Sequence, residues 1–132
     1  MTRMLTAEPQ LFVTDMTRSL AFFTGSLGFD VVFTYGEPPF YAQVRRDGAC
    51  LNLRHVDAPV IDVERRDREE LLTASIALDD ADPLFQAWQD AGVPFFQTLR
   101  REPWGARTFI VRDPDGNLIL FAGPDRPDAE SV

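Results

Sequence analysis

The sequence contains no lysine: its thirteen basic residues are all arginine, set against twenty-one Asp and Glu for a formal net charge of −8. An acidic body of this kind repels polyanions and attracts cations, so no nucleic-acid partner is expected. Cysteine is nearly absent as well. The single Cys50 excludes an intrachain disulfide and fits a reducing compartment. Histidine is limited to His55. Long apolar runs are missing. No stretch approaches the roughly 20 residues that span a bilayer, and Met1 to Leu5 lacks the apolar run of an export signal. A cytoplasmic protein without a membrane partner is the expectation. There is no Gly-rich phosphate loop, no G-x-S-x-G elbow and no framed Cys–His pair. No catalytic residues are assigned, and Cys50, in a strand-like segment, reads as a small buried hydrophobe.

What the chain does have is apolar substance. Its 132 residues are 45% hydrophobic and include eleven Phe. A single domain over 1–132 with its own core is expected, burying roughly two thirds of the surface its unfolded form exposes.

The elements follow a repeated order. Pro9 to Thr14 reads as a strand. Thr14 and Asp15 are N-cap residues for a helix carrying Met16, Leu20, Phe23 and Leu27 at helical spacing, closed by Gly28. Strands are predicted at Phe29 to Thr34, Phe40 to Arg46 and Ala49 to His55, with Gly36–Pro39 and Asp47-Gly48 as turns. Residues 56–70 are polar and charged, and read as a solvated connector. Beyond it, Leu71 to Leu78 is a strand. Asp82-Pro83 reads as an N-cap followed by proline at the first helical position, and Leu84, Trp88 and Ala91 continue the helix to Gly92. Strands at Val93 to Leu99, Arg107 to Arg112 and Asn117 to Ala122 complete the second half, with a tight hairpin turn at Asp113-Pro114-Asp115-Gly116-Asn117. Superposing the halves puts Asp15 on Asp80. The reading is an α+β fold of two βαβββ modules, about 7–55 and 71–123, with a tail at 124–132. Each module leaves one sheet face open, and two such faces would form a cup-shaped mixed sheet suited to a small molecule.

Leu11-Phe12-Val13-Thr14-Asp15, the helix through Ala21-Phe22-Phe23, and Leu27-Gly28-Phe29 resemble the opening signature of the vicinal-oxygen-chelate superfamily, that of glyoxalases, bleomycin-resistance proteins and dioxygenases. Asp113 to Asn117 resembles its closing signature. Pro9 and the tripeptide Pro103-Trp104-Gly105 resemble the bleomycin-resistance branch. That resemblance implies a homodimer that sequesters a drug-like ligand in clefts at the subunit boundary. Metal-dependent relatives place four ligands at positions that fall here on Glu8, Asn52, Thr73 and Leu120. Leu120 cannot coordinate, Thr73 and Asn52 are poor donors, and Glu8 alone is no site. Neither a metal nor any other cofactor is therefore expected.

Period-two alternation puts Cys50, Asn52 and Arg54 on one face of the fourth strand, with Leu51, Leu53 and His55 on the other. Phe33, Tyr35, Phe40 and Tyr41 flank one turn and could stack on a planar ligand. Alternation sends only one of Phe40 and Tyr41 to the open face. Trp104, between Pro and Gly, is a candidate for ligand stacking or for packing on a dimer partner. Arg54 and Arg107 are expected to point inward, Leu120 to line the second cup, and Trp88 to be core. Two functions are compatible with this set: a non-catalytic binding protein, or an enzyme of the same fold using Glu8 as general base.

Overall fold

The computed structural model describes residues 1–125 and divides the chain into two compact units, Met1–Val60 and a second that begins at Ile61. The first unit holds β1 (Gln10–Val13), α1 (Met16–Ala21), β2 (Asp30–Tyr35), β3 (Tyr41–Arg46) and β4 (Ala49–His55). The second holds α2 (Val63–Glu69), β5 (Leu72–Ala77), α3 (Ala81–Asp90), β6 (Phe95–Arg101), β7 (Ala106–Arg112) and β8 (Leu118–Pro124). Each unit builds one four-stranded mixed sheet, ordered β1-β4-β3-β2 in the first and β5-β8-β7-β6 in the second. In both, the outer parallel pair joins the first strand of the module to its last, and the rest is antiparallel. The duplicated βαβββ order is thus present. No helix among the described residues is long and apolar enough to cross a membrane.

Both module helices start on the aspartates that the superposition pairs. Asp15 is extended and its Oδ1 accepts the Arg18 N–H at 3.0 Å; Asp80 is extended and accepts the Asp82 N–H at 3.4 Å. The second cap is therefore Asp80, not the Asp82 expected from the Asp-Pro pair. A start at Ala81 brings Ala81, Phe85 and Trp88 onto the buried stripe, whereas Ala91 stays exposed. Helix α1 runs into a π-helical turn at Phe22–Ser26, where the Thr24 hydroxyl donates to the Leu20 carbonyl at 2.7 Å. Widening that turn keeps Met16, Phe23 and Leu27 on the buried face.

Each helix covers one sheet face. In the first unit Leu11, Val13, Ala42, Val44, Leu51 and Leu53 are essentially inaccessible beneath α1. In the second, Phe109 stacks on Phe121 at 5.3 Å and meets Trp88 edge-on at 5.9 Å. On β3 and β4 the opposite face carries Tyr41, Gln43, Cys50, Asn52 and Arg54.

The connector contains a helix, which its charge run did not suggest. Asp62 caps it through the Glu64 N–H, and Arg66 turns inward to only 4% exposure, donating to the Asp115 carbonyl at 3.3 Å. Asp67 receives a two-pronged bond from Arg112 at 3.0 and 3.1 Å. Those partners lie far along the chain in β7 and the closing turn, so no local pattern announces them. The tail expected over 124–132 lies, from residue 126 on, outside the described residues.

Candidate functional site

The open face of the first sheet is set by alternation. On β4, Leu51 and Leu53 take the buried side and Cys50, Asn52 and Arg54 the other. Register then fixes its neighbours. On β3, Gln43 lies across from Asn52 of β4 and from Phe33 of β2, and Tyr41 lies across from both Arg54 and Tyr35. Gln10 on β1 pairs with Asn52 from the other side.

Of the two adjacent aromatics, Tyr41 is the one on the open face. Its ring lies nearly parallel to Phe33, 11° apart with centroids at 6.2 Å, and its hydroxyl donates to Gln10 Oε1 at 2.9 Å. Phe40 turns the other way. With His55, Met16, Leu20, Pro38 and Pro39 it lines a recess of about 340 Å³ on the helix side. Tyr35 meets the Phe40 ring edge-on at 5.5 Å. The turn between them requires glycine at Gly36: φ is +100°, and an added Cβ would stand 2.3 Å from the Phe40 ring.

Beside the Phe33–Tyr41 stack runs a polar row. Gln43 Nε2 donates both to Glu8 Oε1 at 3.1 Å and to Asn52 Oδ1 at 2.9 Å, and the Thr6 hydroxyl donates to Glu8 Oε2 at 2.8 Å. Glu8 and Asn52, two of the positions that the family resemblance matches to metal ligands, are thus joined through an amide. Of the other two, the Thr73 hydroxyl donates to Asn117 Oδ1 at 3.2 Å, and Leu120 is hydrocarbon. This donor set does not fit a metal ion. Among the described residues no group of three or more His, Cys, Asp or Glu is gathered that could hold one.

Cys50 is half-buried on the open face, not a core residue as its strand position suggested. Partial burial, then the Glu8 carboxylate, pushes its thiol above the ordinary value, against a smaller opposing pull from Arg45. The thiol form is favoured, so Cys50 is a poor nucleophile at neutral pH.

On the second sheet, Thr108 and Ile110 of β7 share the open face with Leu120 and Ala122 of β8, and Leu120 is half-buried there. Sequence reading missed a polar knot at its edge. The Thr108 hydroxyl and Arg100 Nε both donate to Glu102 Oε1, at 2.8 and 2.6 Å, and Gln97 Nε2 donates to Thr108 Oγ1 at 3.0 Å. The Arg100 bond, helped by Thr108, outweighs burial and holds the Glu102 carboxyl below its usual range. β6 carries two register shifts against β7, so simple alternation could not have assembled this set.

Arg107 is a correction. It points to the helix side, where its Nε donates to Asp82 Oδ1 of α3 at 2.8 Å, because its neighbour Thr108 occupies the open side. Arg54 is exposed on the open face, as expected of its alternation. Trp104 sits in the β6–β7 turn at 74% exposure. No local packing explains so large an apolar side chain in solvent.

The sequence profile of the Glyoxalase/Bleomycin resistance protein/Dioxygenase superfamily matches residues 5–121. No curated protein sequence matches. Among solved structures, the bleomycin-binding protein from bleomycin-producing Streptomyces verticillus, complexed with copper(II)-bleomycin, shares 27% identity at a TM-score of 0.71, over 95% of this chain and 100% of that one. TnmS3, an antibiotic-binding protein from Streptomyces sp. CB03234, shares 26% identity at 0.66, over 94% and 100%. The bleomycin resistance determinant encoded on transposon Tn5 has the same fold, with a TM-score of 0.72 at 20% identity, over 93% and 100%. With the duplicated modules and both signature turns in place, the chain belongs to the glyoxalase/bleomycin resistance protein/dioxygenase superfamily.

Proposed function

We propose that this chain is a metal-independent, cofactor-free binding protein that sequesters an aromatic, drug-like small molecule, acting in the cytoplasm as a homodimer with clefts at the subunit boundary. One observation carries the reading. The open face of the first sheet pairs an aromatic stack with a hydrogen-bonded amide row, at positions where metal-dependent relatives keep ligands. Such a surface offers π contact worth about 0.5–1.5 kcal/mol per ring and directional polar groups, but no activated nucleophile. The similarity to two proteins that bind antibiotics supports it. The ligand set proposed is Phe33, Tyr35, Tyr41, Asn52 and Arg54 on the first unit, with Leu120 and Trp104 on the second. Phe40, which faces the recess beside His55, and Arg107, engaged by Asp82, fall outside it.

The homodimer rests on the apolar side chains left in solvent. Strand β2 is the edge of its sheet, and Val31, Val32 and Phe33 are each more than 40% exposed. Unpaired apolar edges of this kind are normally covered. Light scattering at micromolar concentration should return twice the 14.9 kDa chain mass.

The function is tested by metal analysis of the purified protein, followed by a tryptophan-fluorescence titration with metal-free bleomycin. Saturable quenching near one drug per chain, weakened in Trp104→Ala, is the expected result. A stoichiometric divalent metal would overturn the metal-free reading. Turnover of a bound compound, lost in Glu8→Gln with folding intact, would establish instead an enzyme with Glu8 as its base.

A further inference from the structure

The Glu8 carboxylate can only accept hydrogen bonds, so the part of Gln43 that faces it at 3.1 Å must be the NH2 group. That fixes the flip of the Gln43 amide. Its second N–H goes to the Asn52 side chain at 2.9 Å, which must present its oxygen in turn. A carboxylate just ahead of β1 thereby sets the polarity of two amides in sequence. The Thr6 hydroxyl on the other Glu8 oxygen, at 2.8 Å, anchors the start of this chain.

What remains is a matched pair. Among the described residues nothing bonds Gln43 Oε1 or Asn52 Nδ2. One is an acceptor and the other a donor, on residues directly opposite across β3 and β4. Both amides are half-buried, so leaving these groups unmet by a ligand that covers them is unfavourable. Beside them lies the Phe33–Tyr41 stack, with Phe33 in register with Gln43. The Tyr41 hydroxyl is already engaged by Gln10, so the rim of that platform does not compete for the ligand's polar edge.

Resting on the binding function proposed above, we infer that this face selects planar ligands that carry a donor and an acceptor side by side, as a ring lactam or a primary carboxamide does. The ligand N–H is received by Gln43 Oε1, and Asn52 Nδ2 donates to the ligand carbonyl, while the ring lies against Phe33 and Tyr41. A carboxylate offers two acceptors and leaves Gln43 Oε1 facing a like group. An aryl ether offers no donor. Glu8 is a positioning residue in this scheme, acting through Gln43.

The test compares the lactam quinolin-2-one with its O-methyl ether and with quinoline-2-carboxylate, by ¹⁵N-resolved NMR titration of the intact chain. The lactam should bind about tenfold more tightly than the ether, the size expected from hydrogen bonds that the ether cannot make. It should shift the Gln43 and Asn52 side-chain amide signals, which the ether leaves in place. Asn52→Asp replaces the donor by an acceptor and should bring lactam and ether within about twofold of each other, while unchanged backbone amide signals away from β3 and β4 report an intact fold. Phe33→Leu should weaken both probes alike. Equal affinity of lactam and ether for the wild-type chain, or preference for the carboxylate, overturns the inference. If metal-free bleomycin still saturates such a protein, amide selection alone has failed. Absence of saturation by drug and by all three probes removes the binding function with it.

Discussion

Asp113 offers the sharpest physical test of the second unit. It opens the turn between β7 and β8 at 3% exposure, and its Oδ1 accepts the Asp115 and Asn117 N–H groups at 2.9 and 2.7 Å. Oδ2 accepts Asn117 Nδ2 at 2.9 Å. Two influences oppose each other. Burial disfavours the carboxylate, while these donors favour it. Burial wins, with a smaller push from Asp115, and lifts the group from 3.8 to about 6. A folded-state value above the unfolded one means that the native protein holds the proton more tightly. The stability contributed by the neutral acid is fully present below the unfolded value and is lost as pH rises through about 6. The full difference is worth about 3 kcal/mol, of which about 1.5 kcal/mol falls between about pH 5 and pH 7.5. Asp113→Asn removes the titration. Its carbonyl can still accept both backbone N–H groups, and an amide flip of Asn117 leaves the Thr73 hydroxyl to accept. Urea unfolding followed by tryptophan fluorescence, on both proteins at the two pH values, isolates this one group. The stability of wild type relative to Asp113→Asn should fall by about 1.5 kcal/mol at the higher pH. A constant gap, or one that moves in favour of the wild type as pH rises, would show that the three hydrogen bonds outweigh burial and that the argument has the wrong sign.

The other perturbations separate packing from surface. Phe109→Ala empties the centre of the second core, where Phe85, Phe95, Trp88 and Phe121 all meet this ring. It should lose about 3–5 kcal/mol in the same urea assay. Gly123→Ala puts a methyl 3.0 Å from the Ala81 backbone nitrogen where β8 passes the start of α3. Overpacking against rigid backbone should lower stability by about 1–3 kcal/mol, and an unchanged midpoint would mean that α3 can shift aside. Thr108→Val deprives Glu102 of its buried donor and should cost about 1–3 kcal/mol. Trp104→Ala, at an exposed site, should leave the unfolding free energy of the monomer within about 0.5 kcal/mol of wild type.

How much of this was legible in the sequence depends on whether each strand had an alternation to read. β4 did. Leu51 and Leu53 against Cys50, Asn52 and Arg54 sorted the faces correctly, and the same rule applied to β3 would have put Gln43 beside Asn52. Gln43 was overlooked because glutamine in a strand carries no chemical flag of its own; its role appears only once Glu8 is seen to orient it. Glu8 itself lies ahead of β1, where no period applies. β7 had no alternation. Phe109, Ile110 and Val111 are all essentially inaccessible, a continuous apolar run from which no face can be counted, and with no polar face to anchor the count Arg107 was turned the wrong way. The helix in the connector failed for a different reason. Its charged run describes a solvated face well, but the residue that matters is Arg66, whose partner, the Asp115 carbonyl, is 49 positions away. The opening and closing signatures were readable for the opposite reason. An aspartate N-cap bonds a residue two or three positions ahead, and the Asp113 turn bonds within itself. The geometry of such a motif is written into adjacent residues. Orientation on an open face is written instead in pairs that only the sheet register brings together, which is why the family could be read from the chain and the polarity of its site could not.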